Sequence, residues 1–138
     1  MNINPNDYIT GITLIDKQHL HYIELVKRLI SYCKSEEVIN KPVFIDYVNE
    51  LVIYMLEHFD AEEYLMRSTK YFLYTKHLAE HNMFRNKMDE FLAAVNDIDQ
   101  LNITDYEDYL VKWLIAWFEI HVKDGDTKLA KFLQSQQK

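Results

Sequence analysis

Four rows of mostly apolar residues, each stepping by three or four positions, run through the 138 residues of this chain. The first is Ile12, Ile15, His19, Tyr22, Val26, Leu29 and Cys33, and the second is Phe44, Val48, Leu51, Met55, His58, Glu62 and Leu65. The third is Leu73, His77, His81, Phe84, Met88, Phe91 and Val95, and the fourth is Leu110, Leu114, Trp117 and His121. A row of that period is one face of an amphipathic helix, and that face must be buried against another. Only two glycines and two prolines interrupt the chain, so tight turns are few and the helices long. The rows predict an all-α protein, an antiparallel up-down-up-down four-helix bundle in a single domain over 1–138. The helices are expected over roughly 13–33, 42–66, 73–95 and 105–134, behind an extended N-terminal arm over 1–12. Pro42 falls in the first turn of the second helix. Thr104 and Glu107 have the spacing of a capping box for the fourth.

Bulk properties narrow the partners. The formal net charge is −7 and no basic cluster exceeds two adjacent residues, so nucleic acid is excluded as an expected partner. Cys33 is the only cysteine, which rules out an internal disulfide and suits a reducing, cytoplasmic location. The N-terminus, MNINPNDYITGITLID, has no charged region followed by an apolar run, so no signal peptide is expected. No apolar stretch approaches membrane-spanning length, and no membrane partner is expected.

The informative residues are those that do not belong on a buried face. His19, His58, Glu62, His77, His81 and His121 all stand in the rows. Burying one such group without a partner costs several kcal/mol. Six would exceed the usual net stability of about 5–15 kcal/mol. Mutual hydrogen bonds could settle one pair, but five histidines and a carboxylate point to a metal centre. In HFDAEE, His58 and Glu62 are one turn apart, as are His77 and His81 in HLAEH, so each pair aims two donors at one place. His19 and His121 add one donor each from the other two helices. Past His121 the row slips: it resumes at Asp126, Leu129 and Leu133. Residues five apart on an ideal helix lie about 140° apart. Either the helix bends or bulges there, or the two residues reach different parts of a wide site. Gly125 marks the place where a distortion would fall. His21, about 200° around the helix from His19, is expected to face away from the metal. Asp16 and Gln18 flank His19, and either is placed to hold an imidazole tautomer. Trp113 reads as core, Cys33 as a small buried residue.

The order H…HxxxE…HxxxH…HxxxxD, with the flanks IDKQH, HFDAEEYLM and WFEIHVKDGD, resembles the hemerythrin family and its bacterial members from about residue 7 to 133. That resemblance implies a non-haem di-iron cofactor: His77, His81 and His121 on one iron, His19 and His58 on the other. Glu62 and Asp126 would bridge both, together with an oxo or hydroxo group. The family spacing disfavours Glu63 and Asp124 for the bridging roles, and both are expected to be solvated charges. Two irons of six-coordinate habit want about twelve donor positions. The implied set leaves one unfilled, on the iron with two histidines. The implied function is reversible binding of O₂, or another small diatomic ligand, for storage, delivery, scavenging or sensing. The alternative is an enzyme that reduces peroxide or nitric oxide. Neither reading names a reductase partner. A dry O₂ pocket is expected from Phe59, Trp117, Phe118 and Val122. Tyr22 stands where the family usually has an aliphatic residue, and its hydroxyl is expected to reach bound oxygen. Tyr8 stands in the arm where many bacterial relatives have Trp.

Overall fold

The computed structural model describes residues 4–97 and 103–136. Its helices are α1 (Thr13–Ser35), α2 (Lys41–Ser68), α3 (Tyr74–Asn96), α4 (Ile103–Ile120) and α5 (Thr127–Ser135). Between α4 and α5 the chain makes a π-helical segment, His121–Asp126, so the last two helices form one long rod. No strand occurs among the described residues. Each helix packs on the next, and α4 returns against α1, which closes a four-rod bundle.

The antiparallel order can be read from what each rod crosses. A large apolar core and a small one lie on opposite sides of a polar layer. α1 runs from Ile15 in the small core, past His19, to Tyr22 in the large one. α2 runs the other way, from Met55 past His58 and Glu62 to Met66. α3 leads from Tyr74 past His77 and His81 to Phe84, and the last rod from Leu114 past His121 and Asp126 to Leu129. Up, down, up, down therefore follows from the packing itself.

Local chemistry sets the ends. Asn40 caps α2, its side chain accepting from Val43 N at 3.1 Å, with Pro42 in the first turn. Between α2 and α3, Lys70 takes φ 54°, the left-handed position that usually falls to glycine. The Thr104 side chain, half of the expected capping box, lies outside the described residues. The arm departs from the expected extended form: Pro5–Tyr8 makes one turn of 3-10 helix, capped by Asn4. Asp16 then fastens the arm to α1. Its carboxylate accepts from Thr10 N and Thr10 Oγ1, both at 2.7 Å, and from Gly11 N at 3.1 Å. Gly11 has φ 92°, which a side chain would strain. Cys33 is half-buried rather than buried, and burial followed by the nearby Glu107 pushes its thiol up to about 12. Among the described residues, no helix is long and apolar enough to cross a membrane.

Candidate metal centre

The polar layer between the two apolar cores holds all seven residues that the sequence singles out. His19, His58, Glu62, His77, His81, His121 and Asp126 are each buried. Their donor atoms form two groups, within each of which the atoms lie no more than 4.8 Å from one another. One group is His77, His81 and His121 with Glu62 and Asp126; the other is His19 and His58 with the same two carboxylates. The slip after His121 is resolved as a bulge. Five-residue π hydrogen bonding brings Asp126 back onto the face of His121, where Asp126 Oδ1 lies 3.0 Å from His121 Nε2. Thr127 Oγ1 supports the widened turn by donating to Val122 O at 2.9 Å.

Every histidine of the layer points Nε2 inward. His19 Nε2 lies 2.6 Å from Asp126 Oδ2, His81 Nε2 3.0 Å from Glu62 Oε1, and His77 Nε2 3.1 Å from Asp126 Oδ1. His58 Nε2 lies 3.4 Å from Glu62 Oε1. The buried side-chain atoms without a hydrogen-bond partner among the described residues are His58 Nε2, Glu62 Oε2, His121 Nδ1, His121 Nε2 and Asp126 Oδ1. All belong to these seven residues. An orphaned buried polar atom costs about 1–3 kcal/mol; apart from the outward His121 Nδ1, these atoms converge on shared points and fit a pair of cations. The charge balance fits as well. Burial would raise both Glu62 and Asp126, and the Asp126 charge would raise Glu62 further, yet the surrounding histidines hold both below the usual carboxylate range. Burial opposes a charge on the imidazoles too. The two carboxylates nonetheless lift His19, take His77 up to about 9 and set His121 well above its ordinary value. Burial dominates at His81, helped by neighbouring His121 and His77, and lowers it.

The outer nitrogens are held from behind, mostly by groups the sequence did not identify. His19 Nδ1 donates to the Tyr8 carbonyl at 3.2 Å. His58 Nδ1 donates to Gln18 Oε1 at 2.6 Å, so Gln18 holds a tautomer, though not that of neighbouring His19. Glu63 corrects the expectation of a solvated charge. It is 8% exposed and accepts from His81 Nδ1 at 2.8 Å and from Arg85 Nη2 at 2.7 Å. Glu80 faces His121 Nδ1 at 3.6 Å, an ion-pair distance. A backbone carbonyl leaves no signal in a residue pattern. Glu80 does leave one, being three residues after His77 and so near its face. Asp124 behaves as expected and pairs with Lys76 and Lys128 near the surface. His21 packs on Tyr54 away from the layer, ring centroids 4.2 Å apart.

The five expected pocket residues divide between the two groups. Phe118 stands edge-on to His19 at 5.4 Å and is backed by Tyr22 at 4.4 Å and Tyr8 at 5.0 Å. Phe59 stacks on His81 at 4.0 Å and Trp117 on His121 at 4.6 Å, so these rings wall the three-histidine group. Val122 is buried in the large core. Tyr22 requires a correction. Its hydroxyl donates to the Leu114 carbonyl at 3.3 Å, so its one hydrogen is directed at α4 and not at a ligand in the layer. Trp113 is half-buried and lines an apolar groove of about 290 Å³ with Met83, Ala116, Trp117 and Ile120.

A family model described as the hemerythrin HHE cation binding domain matches residues 10–133. The bacteriohemerythrin of Aquifex aeolicus is 28% identical over 134 residues, 96% of this chain and 98% of that protein. That of Clostridium acetobutylicum is 26% identical over 127 residues, 91% of this chain and 96% of that protein. That of Pseudomonas aeruginosa is 28% identical over 121 residues, 88% and 74%. No solved structure matches the chain.

Proposed function

The chain belongs to the hemerythrin family, and from that premise we propose that it is a non-haem di-iron protein that binds O₂ reversibly. His77, His81 and His121 would hold one iron and His19 and His58 the other, with Glu62 and Asp126 available to both. One observation carries the reading. The two donor groups share both carboxylates and divide the histidines three to two. A mononuclear site would have no use for the second group. A structural zinc site would be closed with four ligands. Bound there, a pair of irons would supply the reversible electron transfer that holding O₂ requires.

The protein's own part is to shape and dry the layer. Apolar cores on both sides exclude water, and Phe118 covers the His19 side. Outer hydrogen bonds orient the rings of His19, His58 and His81, so these imidazoles need not reorganise on binding. An enzyme that reduces peroxide or nitric oxide would gain from a hydroxyl aimed at the ligand, but that of Tyr22 donates to the Leu114 carbonyl, which supports the binding reading.

The test begins without air. The purified protein is reduced, iron per chain is counted, and O₂ is then admitted while the visible spectrum is followed. About two irons and a charge-transfer band that vanishes when O₂ is removed are the expected result. Direct conversion to a stable oxidised spectrum, or steady consumption of reductant with O₂ or peroxide, would favour the enzyme. No iron and no band would end the di-iron reading.

A further inference from the structure

The two groups of imidazoles are gripped from behind by different chemistry. On the three-histidine side carboxylates stand behind two of the rings: Glu63 accepts from His81 Nδ1 at 2.8 Å, and Glu80 faces His121 Nδ1 at 3.6 Å, within ion-pair distance but without a hydrogen bond. On the two-histidine side they are neutral: the Tyr8 carbonyl accepts from His19 and the Gln18 amide oxygen from His58. A carboxylate draws the Nδ1 proton toward itself and leaves more electron density on Nε2, the nitrogen that faces the metal; an amide oxygen does so far less.

Both carboxylates are built into place. Arg85 donates to Glu63 at 2.7 Å and lies over the Phe59 ring at 5.2 Å, while Phe59 itself stacks on His81. Arg85, Glu63, His81 and Phe59 thus lock one another. Glu80 can stand within ion-pair distance of His121 because residue 125 has no side chain. A Cβ there would lie 3.1 Å from Glu80 Oε2 and 3.3 Å from His121 Nδ1.

We propose that these outer partners make the two metal positions unequal. Glu63 and Glu80 are positioning residues that tighten the His77, His81 and His121 position, so it takes its metal first and keeps it longest. Tyr8 and Gln18 leave the His19 and His58 position the looser, exchangeable one. This rests on the two-metal reading above. Three histidines against two would favour the same order, so the test must isolate the outer groups.

Metal-free protein is titrated with Co²⁺ under nitrogen, followed by calorimetry and by the visible d–d absorption, neither of which depends on O₂ binding. Two steps are expected, the tighter filling first. Glu63→Gln should weaken the first step by about 10–100-fold, the usual effect of losing such a partner, shift its absorption band and leave the second step in place. Gln18→Glu, which removes no packing, should tighten the second step and narrow the gap. Circular dichroism verifies that both variants stay folded. Two equivalents bound, with both substitutions inert or both steps moving together, would overturn the inequality alone. Fewer than two equivalents in the parent chain would overturn it together with the two-metal reading.

Discussion

Around Phe44, Leu51, Phe84 and Met88 the bundle interior is wholly apolar; further along the same four rods, at the level of Glu62 and Asp126, it is a layer of imidazoles and carboxylates. Both levels are closed to water, but by different means. At the first, stability comes from apolar area removed from water, about 25 cal/mol per Å², and any apolar side chain of similar volume will serve. At the second, each group is tolerable only because of the others: a buried carboxylate without its histidines would be an uncompensated charge. The difference teaches where identity matters and where only size does.

Four substitutions would break or sharpen that contrast. Asp126→Ala should have the largest effect. It removes a carboxylate shared by both donor groups, destabilises the metal-free chain by about 3–5 kcal/mol and abolishes binding of two metals. Thermal unfolding and metal analysis read the two losses, and unchanged values of both would show that the layer is not a charge network. Leu51→Ala should cost roughly 3 kcal/mol through the cavity it leaves, yet the folded protein should still bind two metals per chain. Loss of metal with the fold intact would erase the distinction between the levels. Tyr22→Phe removes the bond to Leu114 and should cost about 1 kcal/mol, with no change in the rate at which the oxygenated protein oxidises. A markedly altered rate would return this hydroxyl to the site. Gly125→Ala should move stability least, within about 1 kcal/mol, because the helix gain of alanine offsets the contact with Glu80. It should nonetheless speed metal release, as read by transfer to a chelator, since it pushes Glu80 off His121.

The same contrast explains what could be read from the sequence. The bundle was legible because burial writes itself as a period, and Phe44, Val48, Leu51 and Met55 carry it without interruption. The layer was legible because histidines on that period are out of place. What stayed hidden acts through atoms or angles that no pattern records. The hold on His19 is a main-chain oxygen of Tyr8, a group every residue possesses. Glu63 adjoins Glu62 and reads as its exposed neighbour, but the bundle turns it toward α3, where His81 and Arg85 meet it. Gln18 does hold an imidazole, but which one the sequence leaves open, because the histidine it meets, His58, comes from a different helix. Tyr22 was inward as its spacing required, but spacing says nothing of where a hydroxyl points.

The widened turn from His121 to Asp126 also makes the fourth rod forgiving of a change in chain length. Elsewhere in a helix, one residue more or less rotates all that follows by about 100° and carries the buried face into solvent. Here the bulge already stores one extra residue. Deleting Lys123 would let an ordinary α-helix run through, with His121 and the aspartate four apart and Leu129, Ala130 and Leu133 still facing inward. Hydrogen exchange along α5 would register that tolerance as undiminished protection, whereas the same deletion between Leu110 and Leu114 would unseat the whole tail.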